Sequence, residues 1–265
     1  MPVNFLHYLV WRCTTAAAKE TGHIETRGAK IRYLVYGEGK PVLLLHGGLS
    51  NKLSWFSQIP TLVNAGRQVV LIDTRGHGES TPGHAELKYE TFAHDALQVL
   101  DRLGIQRTDI VGWSDGGIIA LLLGLEAPQR VDRIVAISAN FHPSGLLIEQ
   151  QGQATRLDNR VWRNPLFEAL RSWWSGAYER HAGLQAQLNR IWRSEPRLSR
   201  DDLKAIGAPT LVIAGENDII DLPHSGELAQ SLANGRLEII LGAGHAAPVT
   251  HADQVNALIA GFLQL

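Results

Sequence analysis

Short apolar runs alternate along the chain with longer stretches in which apolar residues recur at helical spacing. Most of the runs are continuously apolar and rich in β-branched residues, as strands buried on both faces of a parallel sheet must be. They are Ile31–Tyr36, Pro41–Leu45, Gln68–Asp73, Asp109–Trp113, Arg133–Ser138, Thr210–Ala214 and Arg236–Leu241, with His23–Arg27 as a possible first strand. The pattern predicts an α/β fold with an eight-stranded, mostly parallel sheet flanked by helices.

Helical periodicity is clearest over Tyr89–Leu103, where apolar residues share one face and Gly104 supplies a stop signal. Further helices are predicted over Trp55–Asn64, Gly116–Glu126, Gly226–Ala233 and Asp253–Leu263.

The alternation breaks once, because about 70 residues between Ser138 and Thr210 contain no convincing strand, more than a connection within a compact unit requires. We therefore expect a helical cap over residues 143–204, inserted before the last two strands. The core is then formed by residues 1–142 and 205–265, with residues 1–20 as an N-terminal extension.

The predicted cap is rich in arginine and tryptophan, with nine arginines against four acidic residues between Arg156 and Arg200. Its tryptophans form a lid over a pocket or seal the cap onto the core, and the arginines form a solvated face or favour acidic substrates. Trp173, together with Leu49 and Phe141 of the core, is a candidate substrate contact. The cap tryptophans are Trp162, Trp173, Trp174 and Trp192.

The most informative segment is the G-x-S-x-G motif around Ser114, which lies between a predicted strand and a predicted helix. This context is typical of a nucleophile elbow, a tight turn that exposes the serine hydroxyl. Gly112 and Gly116 are explained by the close approach of backbones at such a turn. The positive end of the following helix points at the serine, where negative charge would develop.

A serine hydroxyl needs a base, and the base needs an acid that fixes its tautomer. His245 follows the last predicted strand in a glycine-rich loop, and Asp218 follows the strand before it. Both therefore reach the edge of the sheet where Ser114 is expected, although Glu216 or Asp221 could replace Asp218. No metal-ligand spacing occurs, and the predicted chemistry requires no metal and no organic cofactor.

The segment His46-Gly47-Gly48-Leu49 ends an early strand with a glycine turn. Such a turn can supply one backbone N–H of an oxyanion hole, the other being that of Asp115, directly after the serine. Gly48 is the favoured donor in the turn and Leu49 the alternative. We expect His46 to brace the loop.

Composition narrows the possible partners. The 265 residues carry a formal net charge of −1 and 19% charged residues, which argues against nucleic acid as a partner, and no apolar run has the roughly 20 residues that span a bilayer. Cys13 is the single cysteine, so a reducing, cytoplasmic location is the default. The apolar run Phe5–Trp11 lacks preceding basic residues, which disfavours a cleaved leader.

Together with Asp73–Ser80, these motifs resemble the α/β-hydrolase superfamily from about residue 23 to the end. Because Ser114 occupies the nucleophile position, the resemblance disfavours dehalogenases and epoxide hydrolases, which use aspartate there. The elbow Gly-Trp-Ser-Asp-Gly-Gly is most similar to that of the valacyclovirase and biphenyl-hydrolase-like esterase group. In that group the residue after the nucleophile contacts the substrate's amino group, a role that would fall to Asp115; alternatively, Asp115 is simply stabilised by the helix dipole.

We predict a carboxylic-ester hydrolase, a serine esterase that acts on a small-molecule ester through Ser114, His245 and Asp218. The alternatives are a different bond on the same triad, such as a lactone, an aminoacyl ester or amide, or a C–C bond, and a receptor-like member that only binds its ligand.

Overall fold

A computed structural model of the chain describes residues 3–14, 18–147 and 183–265, with side chains from residue 7 onward. Eight strands form one sheet in the order β1-β2-β4-β3-β5-β6-β7-β8. The pairs β1–β2 and β2–β4 are antiparallel and the other five are parallel, which confirms the predicted sheet. The strands are β1 Glu20–Thr26, β2 Ala29–Tyr36, β3 Lys40–Leu45, β4 Arg67–Ile72, β5 Thr108–Trp113, β6 Val131–Ile137, β7 Thr210–Gly215 and β8 Gly235–Ile240.

Helices cover both faces of this sheet. Within the described ranges they are α1 Val3–Thr14, α2 Gln58–Asn64, α3 Tyr89–Arg102, α4 Asp115–Glu126, α5 Leu184–Ser194, α6 Arg200–Ala205, α7 Leu222–Ser231, α8 Ala247–Thr250 and α9 Ala252–Leu263. None of the helices in these ranges is long and apolar enough to cross a membrane.

Two predicted helix starts are wrong. The helix predicted from Gly226 begins at Leu222, because Pro223 lies in its first turn, where a missing N–H and a fixed φ favour the start of a helix. The helix predicted from Trp55 is interrupted, since a 3₁₀ turn over Lys52–Trp55, capped by the Asn51 side chain, precedes α2.

The two faces of the sheet pack two separate apolar clusters. One contains residues of α3, α4 and α5, and the other contains residues of α1, α2 and α9. In α1, Tyr8 and Trp11 are buried, and the Trp11 indole N–H donates to Asn64 Oδ1 at 3.2 Å. The first helix is therefore packed on the core.

The segment between β6 and β7, predicted as a cap over residues 143–204, is described in part. It contains a 3₁₀ turn at Pro143–Gly145 and the helices α5 and α6. Leu184, Leu188 and Ile191 of α5 are buried in the same cluster as α3 and α4. Trp162, Trp173 and Trp174 lie outside the described residues, and the division into core and cap stays a prediction.

Candidate active site

The predicted site residues lie on loops at one edge of the sheet. Ser114 follows β5, Asp218 follows β7, His245 follows β8 and Gly48 follows β3. These four strands run parallel, and β3 is paired directly with β5. Because the carboxyl ends of parallel strands meet at the same edge, residues distant in sequence are brought together.

The turn at Ser114 has the strained geometry of a nucleophile elbow. Ser114 has φ 55° and ψ −119°, a combination that side chains rarely adopt and that persists only where the surroundings impose it. A Cβ on Gly112 would lie 2.1 Å from Gly116 O, and one on Gly116 would lie 2.0 Å from Leu45 O. Both glycines are therefore required by the close approach of backbones.

A continuous chain of hydrogen bonds joins Ser114, His245 and Asp218. The distance from Ser114 Oγ to His245 Nε2 is 2.9 Å, and that from His245 Nδ1 to Asp218 Oδ1 is 2.7 Å. Because an ionised carboxylate only accepts hydrogen bonds, the proton of a neutral His245 lies on Nδ1. Nε2 then has a lone pair that can accept the Ser114 hydroxyl proton, as a general base must.

The surroundings of Asp218 favour its ionised form. Burial by itself would raise the pKa of Asp218, but the adjacent His245 and hydrogen bonds from Ser138 and Ile220 bring that pKa below its ordinary value. The Ser138 hydroxyl donates to Asp218 Oδ2 at 2.5 Å, and the Ile220 N–H donates to Oδ1 at 3.2 Å. Asp218 is thus a buried, charged acceptor that faces His245.

The two alternative acids make other contacts. Glu216 accepts a hydrogen bond from the Gly242 N–H at 2.8 Å, and Asp221 precedes α7. A Cβ on Gly215, at the end of β7, would lie 2.6 Å from Ala243 O. This close packing of the loops after β7 and β8 brings Asp218, rather than Glu216, to His245.

The structure distinguishes the two candidate donors of the glycine turn. The Leu49 N–H donates to His77 Nε2 at 3.2 Å and is therefore occupied. No acceptor is found within the described residues for the N–H of Gly48. The loop lies against the elbow, since a Cβ on Gly47 would lie 3.1 Å from Ser114 Cβ. Gly48 and Asp115 thus offer two backbone N–H groups beside Ser114.

His46 braces the glycine turn through hydrogen bonds of both ring nitrogens, as we expected. Its Nε2 accepts the Thr74 N–H at 3.0 Å, so its Nδ1 carries a proton and donates to Gly47 O at 2.7 Å. Burial lowers the pKa of His46, which keeps the ring neutral and this pattern intact. The role of Asp73–Ser80 is similar, because His77 and Thr74 of that segment support the loop.

Asp115 has two polar partners that the sequence did not reveal. Tyr89 Oη donates to Asp115 Oδ1 at 2.9 Å, and Trp192 Nε1 donates to Oδ1 at 2.9 Å and to Oδ2 at 3.1 Å. Burial raises the pKa of Asp115 to about 6, and the bonds from Tyr89 and Trp192 oppose part of that rise. The carboxylate therefore links α4 to α3 and to α5.

Two of the other predicted substrate contacts can be placed. Leu49 is 40% exposed, with φ 56°. Phe141 is buried and stacks on His224, with ring centroids 4.1 Å apart, and its N–H donates to His224 Nε2. The contacts of Phe141 are thus packing contacts, whereas Trp173 lies outside the described residues. No group of residues suited to a metal ion occurs in the described part of the chain.

Comparison with known proteins extends these observations. Residues 40–177 match the family model of the alpha/beta hydrolase fold. A putative non-heme chloroperoxidase of Synechocystis sp. is 32% identical, over 88% of this chain and 95% of the relative. Serine hydrolase BPHL of Mus musculus is 26% identical, over 95% of this chain and 89% of the relative. A solved N-acyl homoserine lactone degrading enzyme is 28% identical with a TM-score of 0.74, over 91% of this chain and 100% of that chain.

Proposed function

This chain belongs to the alpha/beta hydrolase family, and we propose that it is a carboxylic-ester hydrolase acting on a small-molecule ester through a Ser114–His245–Asp218 triad. The observation that carries the proposal is the unbroken hydrogen-bond chain from Ser114 Oγ through both ring nitrogens of His245 to Asp218. A hydroxyl, a base and an orienting acid in this order are the requirements of acyl transfer.

In the first step Ser114 Oγ attacks the ester carbonyl while His245 Nε2 takes the hydroxyl proton. Asp218 keeps the Nδ1 proton in place and stabilises the imidazolium that forms. His245 then returns the proton to the alcohol oxygen as the C–O bond breaks, which leaves Ser114 acylated. Water, deprotonated by the same nitrogen, then attacks the acyl carbonyl carbon. The bond between that carbon and Ser114 Oγ breaks, the carboxylic acid leaves, and His245 returns the proton to Ser114 Oγ.

The negative charge that develops on the carbonyl oxygen needs donors that are already in place. We assign this role to the N–H groups of Gly48 and Asp115, at the start of α4, where the helix dipole adds to the stabilisation. The loss of one such donor typically costs about 3 kcal/mol of transition-state stabilisation. The supporting bonds from His46 and His77 to this loop are consistent with a need to hold Gly48 rigidly.

We also infer that residues 143–204 form the cap over this site. The support for the cap is α5, which contributes to the same apolar cluster as α3 and α4 and presents Trp192 to Asp115, next to the proposed nucleophile. A cap of this kind would determine which esters reach Ser114.

The proposal is tested by hydrolysis of p-nitrophenyl esters of increasing acyl length with wild-type protein and Ser114→Ala. Because loss of a triad member can lower turnover by about 10⁶-fold, we expect the variant to fall to the background rate. Asp221→Asn serves as the matched control, since this carboxylate also follows β7 but is not bonded to His245, and it should keep its activity. If Ser114→Ala keeps more than about one per cent of the rate, a proportion far above what triad loss allows, the proposal is wrong.

A second candidate is lactone hydrolysis on the same triad, which is favoured by the similarity to an N-acyl homoserine lactone degrading enzyme. A lactone is an internal ester, so the first step is the same and the alcohol stays attached. Comparison of kcat/KM for acyl homoserine lactones and for open-chain esters of equal acyl length decides between them. A preference for the lactones by about tenfold or more, which is over 1 kcal/mol of transition-state discrimination, would replace the open-chain assignment.

A further inference from the structure

Three polar side chains from three different helices meet directly beside the proposed nucleophile. Asp115 is the first residue of α4, Tyr89 is the first residue of α3, and Trp192 lies near the end of α5. Both donors approach Asp115 Oδ1 at 2.9 Å. This is the point at which the segment between β6 and β7 is bonded to the elbow.

The carboxylate of Asp115 is buried without a strong compensating charge. Tyr89 and Trp192 are neutral donors, and no lysine or arginine in the described part of the chain forms an ion pair with Asp115. A buried carboxylate that lacks a cation is costly to keep charged. Its hydrogen bonds to Tyr89 and Trp192 are therefore its main source of stabilisation, and they hold the two donors in return.

The same cluster borders the proposed oxyanion loop. A Cβ on Gly48 would lie 2.5 Å from Asp115 Oδ2 and 2.7 Å from Trp192 Cζ2. The edge of the indole therefore lies against the backbone of Gly48. Trp192 is itself half-buried, so part of this residue remains accessible.

We propose that Asp115 is a positioning residue that holds the Trp192 indole beside Gly48, and that this indole limits the size of the substrate group bound there. The inference rests on the proposed ester hydrolysis and refines its substrate class to compact, uncharged acyl esters. Asp115 then acts on the cap rather than on a substrate amino group, because its short hydrogen bonds are already made to Tyr89 and Trp192.

The test compares p-nitrophenyl acetate, p-nitrophenyl octanoate and an aminoacyl p-nitrophenyl ester. Trp192→Ala removes the indole that limits the size of the bound group, so we expect the octanoate-to-acetate ratio of kcat/KM to rise at least about tenfold. Trp192→Phe keeps an aromatic ring but removes the N–H donor and part of the ring volume, and Asp115→Asn places an amide N–H opposite that donor. Both should raise the ratio about threefold, the effect of one lost hydrogen bond, mainly through a lower KM for octanoate.

Trp11→Phe is the matched control, because it also removes an indole N–H that donates to a side-chain oxygen, but in α1. Its ester ratio should equal that of the wild type. Urea midpoints for all variants separate altered specificity from loss of folding. Rates of inactivation by methyl and octyl phosphonate p-nitrophenyl esters give the same size comparison without turnover.

Two results overturn the inference while leaving ester hydrolysis intact. One is an unchanged octanoate-to-acetate ratio in Trp192→Ala, with an unchanged ratio of phosphonate inactivation rates. The other is a selective loss of the aminoacyl ester in Asp115→Asn by about tenfold or more, which would show that the carboxylate binds a substrate cation. If the wild type hydrolyses none of the esters faster than Ser114→Ala does, the proposed function is refuted instead. The phosphonate inactivation rates then decide whether Trp192 limits the size of the group bound beside Gly48.

Discussion

Asp115→Asn removes a carboxylate that the fold holds in an unfavourable ionised state. Burial raises the pKa of Asp115 from 3.8 to about 6. In the pH range between these values the folded protein still binds the proton and the unfolded chain has lost it, so stability falls as the pH rises. A difference of about two pKa units corresponds to about 3 kcal/mol of unfolding free energy.

The assay is urea unfolding of the wild type and of Asp115→Asn at a series of pH values between 3 and 7, at constant ionic strength. Constant effects of the substitution on packing and hydrogen bonds cancel when the difference between the two proteins is followed against pH. We expect this difference to move by about 3 kcal/mol in favour of Asp115→Asn from pH 3 to pH 7. The ¹³C chemical shift of the Asp115 carboxyl carbon gives a second measurement of its pKa.

Asp218→Asn is a control for which the stability difference from the wild type should change with pH in the opposite direction. The pKa of Asp218 is lowered, so the wild type loses stability relative to this variant as the pH falls below about 4, where the unfolded carboxyl takes up its proton. A difference between wild type and Asp115→Asn that stays constant within about 1 kcal/mol, less than one pKa unit, would refute the argument from burial.

Three further substitutions, one of them with a matched control, test other contacts. Ser138→Ala deletes a hydrogen bond to charged Asp218 and should lower kcat about tenfold, a loss in the range for charged hydrogen bonds. Because Asp218 then becomes more basic and favours the imidazolium form of His245, the acid limb of the pH profile of kcat should move to higher pH. Gly116→Ala should lower the unfolding free energy by about 3 kcal/mol, since its Cβ meets a backbone carbonyl, whereas Gly226→Ala, in open helical space, should change it by less than about 1 kcal/mol. Arg75→Met leaves the buried carboxylate of Asp95 without the guanidinium that bonds to both of its oxygens. It should lower the free energy of unfolding, measured in urea, by about 3–5 kcal/mol.

Much of the fold follows from the sequence because its strands are buried on both faces. All six residues of β5 are buried, and its last four, Ile110–Trp113, form a continuous apolar run that no amphipathic helix would show. Ser114, Asp218 and His245 follow such strands, and parallel strands end at a common edge. The family resemblance that these motifs indicated is confirmed by the match to the alpha/beta hydrolase fold.

The remaining features depend on contacts between segments distant in sequence. Trp192 and Tyr89 reach Asp115 only because α5 and α3 pack beside α4, and no local pattern encodes that approach. The apolar pattern predicts Ser138 only as the end of a strand. Its φ of 52° and its hydrogen bond to Asp218 depend on the position of β6 between β5 and β7. The occupied N–H of Leu49 likewise depends on His77, in another loop.

The most direct test of the account is to trap the acyl group. Wild-type protein is mixed with p-nitrophenyl butyrate, quenched rapidly in acid and digested with pepsin, and the peptides are analysed by mass spectrometry. We predict one butyryl group on the peptide that contains Ser114, formed with a burst of p-nitrophenol and missing from Ser114→Ala. A butyryl group on another residue, or steady ester turnover without any acylated peptide, would contradict the account.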